Sequence, residues 1–150
     1  MGNTFFATED SIVKPDKSRF FGYVVDDFID TANLIKNTLA KLNINILGVS
    51  NDYNTCLDYI QSYSENLDFV TLDINIKRHN GLDLIPEIKM ISEKIKIFVI
   101  SANPSPANLN KAKDFGASAF IIKPWFKDDF ISTFRQILLQ KEGSYATRYC

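Results

Sequence analysis

Five residues in this 150-residue chain stand at the ends of four apolar runs, although they are spread over almost a hundred positions. They are Asp26 and Asp27 in YVVDDF, Asp73 in VTLDIN, Ser101 in VISAN and Lys123 in IIKPW. Brought together, three carboxylates repel one another. At about 4 Å and an effective dielectric near 20, each like-charged pair costs on the order of 4 kcal/mol. Such a cluster needs a cation, or else one member keeps its proton. An all-oxygen set of this kind suits Mg2+, which keeps several waters and shares oxygens with phosphates, and Lys123 would add a second positive charge. A carboxylate beside that ion is a nucleophile for phosphorus and would form an aspartyl-phosphate. The cations would stabilise charge on the transferring group, and Ser101 could donate a hydrogen bond to one of its oxygens. The chemistry implied is phosphoryl transfer. Singly, each residue has an ordinary use: Asp26 or Asp27 as a turn former or helix cap, Ser101 as a turn hydroxyl, Lys123 as a solvated charge. Asp73 is the least ordinary, because strands disfavour Asp. The joint placement carries the reading.

That placement depends on the elements behind the residues. Short runs rich in β-branched and aromatic residues occur at 20–25, 44–49, 68–72, 96–100 and 118–122, each of strand length. Helix-period segments separate them. Phe28, Ala32, Ile35, Leu39 and Leu42 fall on one stripe, as do Tyr53, Leu57 and Ile60, then Leu84, Ile88 and Ile91. In SPANLNKAKDFGAS, Ser105 can cap a helix with Pro106 at its first position, and Gly116 can end it. Asp128 and Asp129 open a last segment with a stripe of Phe130, Phe134, Ile137 and Leu138, their charges suiting the positive end of the helix dipole. Five strands alternating with five helices predict an α/β fold, a doubly wound parallel sheet with right-handed crossovers. Ligands of such sheets bind at the carboxyl ends of the strands, where all five residues lie. Residues 1–18 read as a loosely attached extension, 19–140 as the domain and 141–150 as a tail after a helix stop.

Seventeen Lys and Arg balance eighteen Asp and Glu, which argues against a direct nucleic-acid partner and confines any role of charge to a local site. No apolar run approaches the length of a membrane span, and the N-terminus lacks the order of a signal peptide. Two cysteines, Cys56 and Cys150, make no disulfide framework, so a cytoplasmic setting is expected.

At these residues the chain resembles the receiver domain of two-component response regulators, and in particular the single-domain chemotaxis type, over roughly residues 19–140. VVDD looks like that family's acidic pair, TLDIN like its phosphoacceptor strand, VISA like its switch strand, and GASAFIIKP like the end of its fifth strand. Gly81, eight residues after Asp73, matches the family's glycine. The resemblance implies a flavodoxin-like receiver fold in which Asp73 accepts a phosphoryl group from a histidine kinase or phosphotransfer protein. It implies Mg2+ held by Asp27, Asp73 and the backbone carbonyl of Asn75, with Asp26 acting partly through water. Ser101 would swing toward the phosphoryl oxygens, Lys123 would pair with them, and Phe120 would turn inward as the switch aromatic. The Lys123–Pro124 bond is expected to be cis. The fourth helix, fifth strand and fifth helix would present the state to a downstream protein target, in chemotaxis or a phosphorelay.

The chain departs from the family after Asp73, where Ile76 and Lys77 replace a common Met-Pro and IKRHNG makes the loop basic. His79 in that loop reads as exposed, and Trp125 as packing. A haloacid dehalogenase-like phosphatase would also use an Asp nucleophile, but needs an acid two residues on, where Asn75 stands. A receiver fold acting as a scaffold without phosphorylation is the other alternative.

Overall fold

The alternating pattern folds into five parallel strands and five helices in a computed structural model that describes residues 11–140. In chain order these are β1 (Phe21–Val25), α1 (Ile29–Ala40), β2 (Asn45–Ser50), α2 (Tyr53–Tyr63), β3 (Phe69–Leu72), α3 (Leu84–Ile91), β4 (Lys96–Ser101), α4 (Pro106–Phe115), β5 (Ala119–Ile122) and α5 (Lys127–Leu139). The strands lie in the order β2-β1-β3-β4-β5, every neighbouring pair parallel. The chain leaves β1 toward β2 and returns to its other side with β3. The topological switch point, where a ligand crevice opens, therefore lies between the ends of β1 and β3, and Asp26 and Asp73 follow those two ends directly. The tail expected over 141–150 lies outside the described residues.

Strand alternation divides the core into two layers. Tyr23, Val25, Val70, Leu72, Ile97, Val99 and Phe120 face Cys56 and Ile60 of α2, Leu84, Ile85 and Ile88 of α3 and Ala112 of α4. Val24, Phe69, Phe98, Ile100 and Ile121 face Ala32, Ile35 and Leu39 of α1 and Phe130, Phe134 and Ile137 of α5. The second layer is built on aromatics: the Phe98 and Phe134 rings stack at 3.9 Å, and Phe69 meets each of them edge-on. A side chain at Gly22 would run into the Phe69 ring, so only glycine lets β1 lie over it. The β1–β2 register shifts between Gly22 and Tyr23, and the carbonyl of Leu47 beside that irregularity accepts the Tyr59 hydroxyl at 3.3 Å.

The helix ends follow local chemistry. Ser105 accepts the N–H of Asn108 at 3.2 Å, Pro106 stands at the first position of α4, and Gly116 closes it in the left-handed region at φ 107°. One stripe residue differs from expectation. Phe28 is 66% exposed, because it precedes α1 as its N-cap instead of lying on the buried face. The described part of the N-terminal extension is also packed, not loose. Ile12 is fully buried against the α1–α5 layer, and its N–H donates to the Leu42 carbonyl at 2.9 Å. Asp68, just before β3, ties this segment down by pairing with Lys14 at 3.1 Å and accepting the Phe21 N–H at 2.7 Å. Among the described residues no helix is long and apolar enough to cross a membrane.

Candidate functional site

Lys123 joins the two strand ends. Its Nζ donates to Asp26 Oδ2 at 2.8 Å and to Asp73 Oδ2 at 2.9 Å, with side-chain exposures of 17% for the lysine, 1% for Asp26 and 13% for Asp73. Backbone pairing past the strand ends fixes the three: the Asp73 N–H donates to the Val25 carbonyl at 3.0 Å, the Asp26 N–H to the Ser50 carbonyl at 3.0 Å, and the Lys123 N–H to the Ser101 carbonyl at 2.9 Å. The Lys123–Pro124 bond is cis. Asp26 uses both carboxylate oxygens, since Oδ1 accepts the Phe28 N–H at 2.8 Å and so shapes the entry into α1.

Burial dominates the electrostatics. It raises the Asp26 pKa; the hydrogen bonds from Lys123 and the Phe28 N–H offset this in part, and the nearby Asp73 charge raises it further. Burial also works against the ammonium of Lys123, but its hydrogen bonds to Asp26 and Asp73 and their charges outweigh it, leaving its pKa raised. A stability prediction follows for Asp26 in metal-free buffer. The unfolded chain loses this proton near 3.8 and the folded chain only at higher pH. Across that window the folded state binds more protons than the unfolded one, so stability falls as pH rises. Asp26→Asn removes this loss while leaving the Asp73–Lys123 pair, and urea melts at a series of acidic pH values will show a flatter profile for the variant.

The remaining predicted residues divide. Asp27 is exposed and takes no part in the Lys123 pairing, and among the described residues no group of three carboxylate, histidine or cysteine side chains is placed to hold a metal ion. Asn75 lies in a short ribbon, Asn75–Ile76 against His79–Asn80, within the basic loop after Asp73. Gly81 N–H donates to the Ile74 carbonyl. By the alternation of antiparallel pairs, the Asn75–Asn80 pair is then the one without ladder hydrogen bonds, so the Asn75 carbonyl is left out of the ribbon's bonding. Ser101 is buried, and its Oγ accepts the Asn103 N–H at 3.1 Å. Phe120 is fully buried in the layer beneath α2, α3 and α4, so its ring is already inside while Ser101 is bonded to its own loop.

The basic loop gains structure that its composition did not reveal. Ile76 is fully buried and anchors the ribbon, Lys77 takes the left-handed conformation at φ 52°, and the exposed His79 lies 4.8 Å from the Tyr53 ring. The Tyr53 hydroxyl donates to Glu87 at the start of α3, so Tyr53 braces both ribbon and helix. Trp125 packs on Phe130 at 4.9 Å.

Residues 23–135, which carry this sheet and the carboxylate pair and lysine at its switch point, match a family model described as the response regulator receiver domain. The chain belongs to the response regulator receiver domain family. This receiver is 32% identical over 103 residues to the chemotaxis protein CheY of Thermotoga maritima, an alignment covering 68% of this chain and 83% of that one. It is 27% identical over 105 residues to CheY of Pseudomonas aeruginosa, covering 68% and 82%. Among solved structures, the CheX–CheY–BeF3–Mg2+ complex from Borrelia burgdorferi superposes with a TM-score of 0.80 at 21% identity, covering 85% of this receiver and 96% of that chain. A response regulator from Burkholderia pseudomallei, solved with a phosphorylated aspartic acid, a calcium ion and citrate, superposes with a TM-score of 0.70 at 19% identity, covering 79% and 68%. These structural likenesses bear on the fold, and membership places the chain in two-component signalling.

Proposed function

We propose that this receiver accepts a phosphoryl group on Asp73 from the phosphohistidine of a histidine kinase or phosphotransfer protein and signals through protein contact. The observation that carries the reading is the single lysine bridging Asp26 and Asp73 at the switch point. A carboxylate oxygen of Asp73 attacks phosphorus, the phosphorus–nitrogen bond of the donor breaks, and the electron pair stays on the imidazole. Lys123, holding Asp73 through Oδ2 alone, orients the nucleophile and stands where charge gathers on the transferring group. The donor set fits a hard divalent cation, since it is all oxygen: Asp26, Asp27, Asp73 and the Asn75 carbonyl left free by the ribbon. When bound, Mg2+ would neutralise the phosphoryl oxygens. Ser101 would donate to one of them.

The exposed apolar side chains of Phe28, Ile29 and Phe126, on the segments that lead out of Asp26 and Lys123, support a protein as the donor. The face formed by α4, β5 and α5 is the proposed surface for a downstream protein target, and the setting a cytoplasmic chemotaxis or phosphorelay system. The reaction is the protein's own modification, not turnover of a separate substrate. Incubation with Mg2+ and a small acyl phosphate, followed by intact mass measurement, is expected to give one phosphoryl adduct, absent when the metal is withheld. A chain that stays unmodified under these conditions would instead be a scaffold acting without phosphorylation.

A further inference from the structure

The Ser101 hydroxyl is not free to move on its own. Its oxygen accepts the Asn103 N–H at 3.1 Å, and the carbonyl of the same Asn103 accepts Nδ2–H of Asn108 at 3.2 Å. Asn108 is in turn fixed to the first turn of α4, because its backbone N–H donates to Ser105 Oγ at 3.2 Å. Both ends of the Asn103 residue are therefore held, one by the buried hydroxyl and one by the helix. The flanking sequence NPSPAN narrows the alternatives: Pro104 and Pro106 have no N–H, so of the residues from 102 to 106 only Ala102, Asn103 and Ser105 could donate to that oxygen. Phe120 is already fully buried in this state. The part of the switch still to change is the Ser101 loop.

We infer that Asn108 is a positioning residue that latches the Ser101 hydroxyl to its own loop through Asn103, and so sets how readily Ser101 is released toward a phosphoryl group on Asp73. The inference rests on the receiver reading above. Its physical content is a population. A ligand that needs the released hydroxyl binds with an affinity reduced by the fraction of molecules in which it is released. Loss of one ordinary hydrogen bond from the latched state shifts that fraction by roughly twofold to tenfold. The latch also gives the site a bonded route to α4: withdrawal of Ser101 leaves the Asn103 N–H without its acceptor, and any movement of Asn103 is felt by Asn108 in the first turn.

The test uses the full chain and beryllofluoride with Mg2+ as a phosphoryl mimic, with affinity read by calorimetry. Asn108→Ala keeps the backbone N–H that Ser105 caps and places a good helix former in α4, so the variant will fold. It is expected to bind the mimic about twofold to tenfold more tightly than the parent. In a Ser101→Ala background, which has no hydroxyl to latch, the same substitution is expected to change nothing, and amide exchange at Asn103 should quicken in both single variants. Equal affinity of parent and Asn108→Ala would overturn the latch. So would a gain that persists without Ser101, because it would then arise in the helix alone. A parent that fails to bind the mimic would overturn the receiver chemistry itself, and the latch with it, an outcome distinct from the other two because it needs no variant.

Discussion

Asp73→Asn is expected to take up no phosphoryl group from a small acyl phosphate, and Lys123→Met to take it up about a hundredfold to a thousandfold more slowly than the parent. The first loss is chemical, because an amide oxygen in place of the carboxylate is not a nucleophile for phosphorus. The second comes from removing a preorganised cation aimed at developing charge, for which factors of about 10² to 10³ are usual. Lys123 has a further role that separates this explanation from simple misfolding. Its Nζ is bonded to the Oδ2 atoms of both Asp26 and Asp73, the oxygens that a divalent cation would also seek. Removing the lysine leaves two carboxylates in a largely buried setting with no cation between them. Lys123→Met should therefore bind Mg2+ more tightly than the parent while phosphorylating more slowly. Metal titrations and rates of adduct formation measured on one preparation check the two together. Slow phosphorylation with unchanged or weakened metal binding would show that Lys123 acts only by holding the fold.

The architecture was legible because each of its causes is local. Four of the five strand runs ended at a charged or hydroxyl residue unlike the run, four helices showed their period, and Ser105, Pro106 and Gly116 marked the limits of α4 as the structure has them. Asp73 stood out for a related reason: a carboxylate directly after FVTL has no local purpose. Less legible was whatever depends on which neighbour a side chain meets. Nothing in DD tells which aspartate turns inward, because that follows from the path into α1, where Asp26 caps the Phe28 N–H and Asp27 is left at the surface. Phe28 fitted the helical stripe by spacing, yet the turn made by Asp26 places it outside the helix. Ile12 was unreadable as core because no periodic element surrounds it; it is buried by Leu39, Leu42 and α5, which are distant in sequence. The ribbon after Asp73 was hidden by composition, since Lys77, Arg78 and His79 spell a solvated loop, and only the buried Ile76 and the Tyr53 brace give them a fixed course.

Gly81 was marked by the family resemblance, and the structure supplies a reason with a large predicted consequence. Its conformation is open to any residue, but a Cβ there would run into the carbonyl oxygen of Asp73 and crowd Ile76 Cδ1 at 3.1 Å. The obstacle is backbone that cannot swing aside, and it is the backbone of the proposed phosphoacceptor, Asp73. Gly81→Ala should cost about 3 kcal/mol, at the upper end of overpacking, which for a domain of this size is a fall of roughly 6–12 °C in Tm. Below its Tm the variant should still phosphorylate at least tenfold more slowly, since relieving the overlap shifts Asp73 or the ribbon that carries Asn75, and small misplacements of reacting groups are costly. Gly116→Ala is the matched comparison. There the backbone is left-handed at φ 107°, and a Cβ meets only the flexible Lys89 side chain at 3.6 Å. It should cost about 1 kcal/mol through backbone strain and leave the rate of phosphorylation unchanged. Equal effects of the two substitutions on that rate would mean that Gly81 serves the fold alone. A loss confined to Gly81→Ala would mean that the site needs this close approach of two backbones to aim Asp73.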